Sequence, residues 1–118
     1  MLYGTRVKLV LAESPDTALP GVKLALFDRD EGDPDDILVS GVTGEDGEVF
    51  LSYRSEQFTD LEDQPVWHTK SLPELYVVVY DVLGQVVHST RKSAQPDQSH
   101  YSITVDIPRD LAIKYYLI

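Results

Sequence analysis

The sequence predicts an all-β domain, a two-sheet sandwich of seven or eight strands, and three observations carry that expectation. Apolar residues recur with a period of two in short runs, as where Tyr101, Ile103, Val105 and Ile107 alternate with Ser102, Thr104 and Asp106; this is the spacing of a strand with one buried face. Glycine and proline turns separate the runs. Helical periodicity is nearly absent, which favours a sandwich over a βαβ fold. The exception is an irregular or short helical segment near residues 55–73, where Phe58 and Leu61 are spaced like one helical turn and Pro65, Trp67 and Pro73 break any longer pattern.

Taken in order, a first strand is expected over Arg6 to Leu11, with Val7, Leu9 and Leu11 on one face. Ser14-Pro15-Asp16 and Leu19-Pro20-Gly21 both read as turns, because proline fixes φ and glycine accepts positive φ. Val22 to Phe27 is the second strand, and the branched run Ile37 to Val42 is the third. Thr43-Gly44-Glu45-Asp46-Gly47 is a hairpin signal that delivers the chain into a fourth strand, Glu48 to Tyr53. Leu75 to Asp81 is apolar on both faces and should be central. Val82-Leu83-Gly84 turns it into a sixth strand, Gln85 to Thr90. The polar stretch Arg91 to Ser99 precedes the last alternating run, which Pro108 ends.

A chain of 118 residues fits one domain, residues 1–118, and buries roughly 60–70% of its unfolded surface. With no cysteine there is no disulfide framework, thiolate metal site or cysteine nucleophile, as suits a cytoplasmic protein. The net charge of -10 argues against nucleic acid and against a bare anionic membrane, both of which are bound through Lys and Arg. Neither a signal peptide nor a transmembrane span is expected, since no long apolar stretch follows a basic start.

Three motifs resemble the transthyretin-like, or carboxypeptidase-regulatory-like, β-sandwich family. These are Leu19-Pro20-Gly21-Val22-Lys23-Leu24, the hairpin Thr43 to Gly47 before Val49, Phe50 and Leu51, and Pro73-Glu74-Leu75-Tyr76-Val77 running to Tyr80-Asp81 and Gly84. The resemblance implies the sandwich architecture and a module of the kind attached to enzymes or surface proteins. The purine-pathway hydrolases of that fold use histidine and arginine with a C-terminal tyrosine-rich motif. Tyr115 and Tyr116 echo that motif in different surroundings, Lys114-Tyr115-Tyr116-Leu117-Ile118.

Two segments are candidate sites. The run Asp28 to Asp36 concentrates carboxylates between two strands, and Asp28, Asp30, Asp33, Asp35 and Asp36, joined by Asp81, form a candidate calcium set, because Ca²⁺ takes six to eight oxygen ligands in flexible geometry. The spacing looks like the acidic loop of calcium-dependent phospholipid-binding sandwich domains, and the competing reading is a solvated acidic turn. The apolar C-terminal stretch with Leu111, Ile113, Tyr115, Tyr116, Leu117 and Ile118 either adds an eighth strand to its own sheet or docks on a protein partner or second copy. His68, His88 and His100 share no metal-ligand spacing, Trp67 and His68 could line a pocket or plug the sandwich end, and no nucleophile elbow or phosphate loop appears. The reading is therefore a non-catalytic module mediating protein association. A calcium-dependent binding module and a small hydrolase of the transthyretin-related type are the alternatives.

Overall fold

The computed structural model describes residues 2–29, 34–54, 74–96 and 101–118. Among them are nine strands in two sheets and one short helix. One sheet is built on β1 (Leu2–Leu11), which pairs antiparallel with β5 (Glu48–Arg54) along its first part and with β2 (Ser14–Ala18) at its end, and parallel with β9 (Tyr101–Ile107) on its other side. The second sheet runs β4 (Asp36–Val42), β3 (Lys23–Asp28), β6 (Glu74–Tyr80), β7 (Val86–Ser89), with the two-residue β8 (Gln95–Pro96) also against β6.

Alternation along each strand sends one row of side chains between the sheets. Val7 and Leu9 of β1, Leu24 and Leu26 of β3, Leu51 and Tyr53 of β5, Val77 and Val79 of β6, and Val105 and Ile107 of β9 meet there, all buried. Each such side chain contributes roughly 1.5–3 kcal/mol relative to exposure. The expected central strand is β6, whose outer-face Tyr76 and Val78 are buried as well. The buried hydroxyl of Thr5 has no hydrogen-bond partner among the described residues.

Four expectations are corrected. Thr43 to Gly47 is not a hairpin but a crossover between sheets, since β5 pairs with β1 and β4 with β3, and not with each other. The first strand starts at Leu2 rather than Arg6, because Leu2, Tyr3 and Gly4 find backbone partners in Arg54, Tyr53 and Ser52. Ser14-Pro15-Asp16 is not a turn but part of β2; proline is tolerated because β2 lies at a sheet edge, and the bend falls at Ala12 and Glu13. The C-terminal segment is not an eighth strand but helix α1 (Arg109–Lys114). Pro108 opens it at φ -57°, and the Glu13 carboxylate accepts the Arg109 N–H at 3.0 Å. Leu111, Ala112, Tyr115 and Leu117 turn to the core, so helical spacing rather than alternation satisfies this apolar run. The segment 55–73 lies outside the described residues.

α1 ends in a Schellman motif: Leu117 N–H donates to Ala112 C=O at 2.8 Å and Tyr116 N–H to Ile113 C=O at 3.2 Å, with Tyr116 at φ 60°. A tyrosine in the left-handed region costs roughly 1–2 kcal/mol, against the 0.5–1 kcal/mol that glycine costs through extra unfolded-state freedom.

The chain passes from one sheet to the other through the β4–β5 turn. Thr43 is 4% exposed; its Oγ1 accepts the Val22 N–H at 3.0 Å and donates to Leu19 C=O at 2.7 Å. Its backbone completes the junction, with Thr43 N–H to Val22 C=O and Gly21 N–H to Thr43 C=O. Gly47 at φ 75° packs so closely that a Cβ there would lie 2.7 Å from Leu9 C=O and 2.8 Å from the Ala18 Cβ.

Two outcomes test these local accounts by urea unfolding. Thr43→Val strands a buried N–H and a buried C=O and should cost about 2–3 kcal/mol, whereas Thr43→Ser should cost under about 1 kcal/mol. Tyr116→Gly should raise stability by up to about 1 kcal/mol; a loss would show that the αL geometry of α1 is misassigned.

Candidate functional site

The acidic run meets the sheets at one end of the sandwich. Asp28, the last residue of β3, is fully buried, and its Oδ1 accepts the Glu74 N–H at 3.0 Å, which fixes the start of β6. Arg29 follows, with Nη2 at 2.9 Å from Glu74 Oε2 and Nη1 donating to Arg91 C=O at 3.2 Å. Asp35 accepts from Tyr76 Oη and from Arg91, at 2.7 Å for Nε to Oδ2 and 3.3 Å for Nη2 to Oδ1. Arg91 reaches it from the 3-10 turn Arg91–Ser93, and the Tyr76 ring stacks on Phe27 with centroids 5.3 Å apart. Asp36 lies directly opposite Asp28 across β3 and β4 and is exposed. Asp30 and Asp33 lie outside the described residues.

Burial, reinforced by the hydrogen bond to Asp35 and its charge, pushes the Tyr76 phenol well above its ordinary value. The same carboxylate raises the Arg91 guanidinium through its side-chain hydrogen bond. Asp35 is therefore an internal counterion that ties the far side of the acidic run to β6 and to the turn after β7.

Asp81 does not join this group. It directly follows β6, whereas Asp28 faces the strand's beginning, so about 20 Å of strand separates them. The antiparallel pairing of β3 with β6 puts their C-terminal ends at opposite ends of the sandwich. There Asp81 Oδ1 accepts the N–H groups of Leu83 at 2.9 Å and Gln85 at 2.8 Å, shaping the β6–β7 hairpin with Gly84 at φ 82°. Among the described residues no three His, Asp or Glu side chains are grouped as a metal site.

That opposite end is apolar. Val82 and Leu83, at the hairpin tip, are 88% and 80% exposed. Cross-strand register continues the patch over the outer face as a row of Val42, Lys23, Tyr80 and Val86, with Lys23 Nζ 6.0 Å from the centre of the Tyr80 ring. The β4–β5 turn shows that this is also the end where β1 and β9 finish and α1 begins. Of the C-terminal residues, Leu111, Tyr115 and Leu117 pack on the core, whereas Ile113, Tyr116 and Ile118 are exposed. Val82-Leu83-Gly84 forms the turn that its sequence predicts, and two adjacent branched residues at a tip where turn chemistry favours polar ones are the feature that sets it apart.

A cleft of about 530 Å³ opens on one side of the sandwich between β7 and β9. His88 and Lys92 line one wall, and Ser102, Ile103, Val105 and Asp106 the other. Neighbouring hydroxyls are committed to backbone: Thr90 Oγ1 accepts the Val77 N–H at 2.8 Å and Ser89 Oγ the Arg91 N–H at 3.2 Å. Trp67, His68 and His100 lie outside the described residues. Among the described residues no helix is long and apolar enough to cross a membrane.

No protein-family model and no curated protein matches this chain. Solved structures similar to it include a 9R-lipoxygenase from Cyanothece PCC8801, 23% identical over 91% of this chain with a TM-score of 0.62, and the Bacillus anthracis TIE protein, 10% identical over 92% with a TM-score of 0.48. The chain spans 16% and 17% of those two chains. The lipoxygenase likeness shows the fold, a β-sandwich, alone.

The Asp35 network has a pH signature. A folded-state value raised above the unfolded value of about 10 means that the stabilisation is intact below pH 10 and lost as pH rises through the folded value. Tyrosinate absorbance should show a phenol that stays protonated well above pH 10. Tyr76→Phe should delete that step and cost on the order of 1–2 kcal/mol at neutral pH; an unchanged titration would place the raised phenol elsewhere.

Proposed function

We propose that this chain is a non-catalytic β-sandwich module that mediates protein association through its apolar end. The observation that carries the reading is the β6–β7 hairpin, which holds Val82 and Leu83 almost fully in solvent at the head of the row containing Tyr80, Val86 and Val42. Single exposed apolar residues are ordinary on a protein surface, whereas a contiguous set rimmed by polar groups is characteristic of a contact surface. Asp81 and Gly84 shape the hairpin locally, so little ordering is left for association to supply. α1 begins at the same end, and the exposed Ile113 in it and Tyr116 and Ile118 after it are included in the proposed surface.

The proposal includes a transthyretin-like arrangement of the sandwich. What supports it is that β3 follows the Leu19-Pro20-Gly21 turn, that the Thr43 to Gly47 turn leads into β5, and that β6 lies in the interior of its sheet.

A photo-cross-linking residue at position 83, introduced into the chain in its native host, should give a discrete protein adduct. Val82→Asp should remove the adduct without moving the melting temperature by more than about 1–2 °C, because the side chain is 88% exposed. Absence of any adduct, or an adduct indifferent to Val82→Asp, would sink the reading.

A further inference from the structure

The two sides of the sandwich differ. On one, β4 and β5 approach each other and the turn between them joins the sheets. On the other, β9 and β7 are the outermost strands and the cleft lies between them.

An open sheet edge invites pairing unless something blunts it, and nearly every other edge here carries such a device. β2 holds Pro15 and β8 holds Pro96. β4 has a bulge at Leu38 and a glycine at position 41, and β7 has four residues with a bulge at Val87. β9 has none of these. It stays in unbroken register with β1 from Tyr101 to Ile107 and contains no proline, glycine or lysine, and one charge, Asp106.

The direction of its unpaired groups follows from one hydrogen bond. Ala12 N–H donates to Ile107 C=O, so Ile107 faces β1. The N–H and C=O of a residue in a ladder point to the same side and alternate along the strand. Ile103 and Val105 therefore also face β1, and Ser102, Thr104 and Asp106 direct their backbone groups away from it, along the cleft. Among the described residues no strand pairs with that edge.

We propose that the cleft between β7 and β9 is an acceptor site for an extended segment of a partner polypeptide, which adds as a strand to the outer edge of β9. Five residues from Ser102 to Asp106 give a track of about 16 Å, and a cleft of about 530 Å³ is within the range of pockets that enclose a short ligand. Ile103 and Val105 offer apolar contact toward the core, and Thr104 faces out with Ser102. Charge sets polarity: Lys92 stands where β9 begins and Asp106 where it ends. A strand added antiparallel thus carries a basic residue opposite Asp106, β-branched residues opposite Val105 and Ile103, and an acidic residue opposite Ser102, toward Lys92. This surface is separate from the hairpin tip at Val82 and Leu83, so either can fail without the other.

The probe is an acetylated, amidated peptide Lys-Val-Thr-Val-Glu added to the full chain while amide hydrogen exchange is followed by NMR. Saturable binding should slow exchange at Ser102, Thr104 and Asp106 and leave Ile103 and Val105, already bonded to β1, unchanged. The charge-reversed peptide Glu-Val-Thr-Val-Lys should bind at least about ten-fold more weakly. Thr104→Pro should keep the native melting transition, because its N–H makes no bond to β1, and should abolish binding. A peptide N-methylated at its central threonine tests the same backbone pairing on the unaltered protein and should lose at least about ten-fold in affinity. No exchange change at millimolar peptide, protection at other residues, or full binding by the N-methylated peptide overturns the proposal. Dimers seen by light scattering that Thr104→Pro disperses would assign the edge to a second copy and also overturn it.

Discussion

The hydroxyl of Thr43 fixes the junction on which the two sheets depend. It accepts from Val22 and donates to Leu19, so the loop that enters β3 is bound to the turn that leaves β4. Beside it, Gly47 lets the start of β5 approach within contact of Leu9 and Ala18, a distance no side chain would allow. One turn thus sets the crossing between sheets, closes one side of the sandwich and aligns the inner rows of β1, β3 and β5. Because these groups are buried, water cannot replace the bonds, and the geometry is enforced by the cost of leaving them unmade.

Closure on that side leaves the rest of the molecule asymmetric. One end is polar and internally bonded, with Asp28 holding β6 and Asp35 shared between Tyr76 and Arg91. Carboxylates dense enough in sequence to suggest a cation site are, where described, largely engaged by the protein's own donors. The opposite end is apolar and exposed at Val82 and Leu83, and on the side opposite the junction no strand among the described residues pairs with the outer edge of β9. Such a division is consistent with the proposed association module, since the ordering cost of its rigid strands and preformed hairpin is met by folding.

Much of the architecture was legible in the residues. Period-two alternation marks β9 and β1, two-sided apolarity marks β6 as central, and Thr43 to Gly47 marks a tight turn, because these depend on burial and turn chemistry that act locally; that this turn crosses between sheets instead of pairing β4 with β5 is set by the packing of the sheets. The errors have one cause. Local chemistry alone makes Pro15 a turn residue and gives the apolar run after Pro108 the look of a strand, whereas pairing with Val10 and Leu11 makes one a strand and packing on the core makes the other a helix. Short apolar runs carry no decisive period, so their partners choose for them.

The same division applies to the candidate sites. Sequence by itself determined that the fold is β, that it closes on a single apolar core, and that an acidic run and an apolar terminus are its unusual segments. Only the tertiary structure decided what those segments meet: Asp81 lies at the far end of β6 from Asp28 because β3 and β6 are antiparallel, and Asp35 faces Tyr76 and Arg91, residues 41 and 56 positions away. It also decided that, among the described residues, β9 is flanked by β1 on one side and by the cleft on the other. Spacing along the chain encodes the face of a strand, but neighbours across a sheet are set by loop connections and core packing, which a linear pattern does not contain.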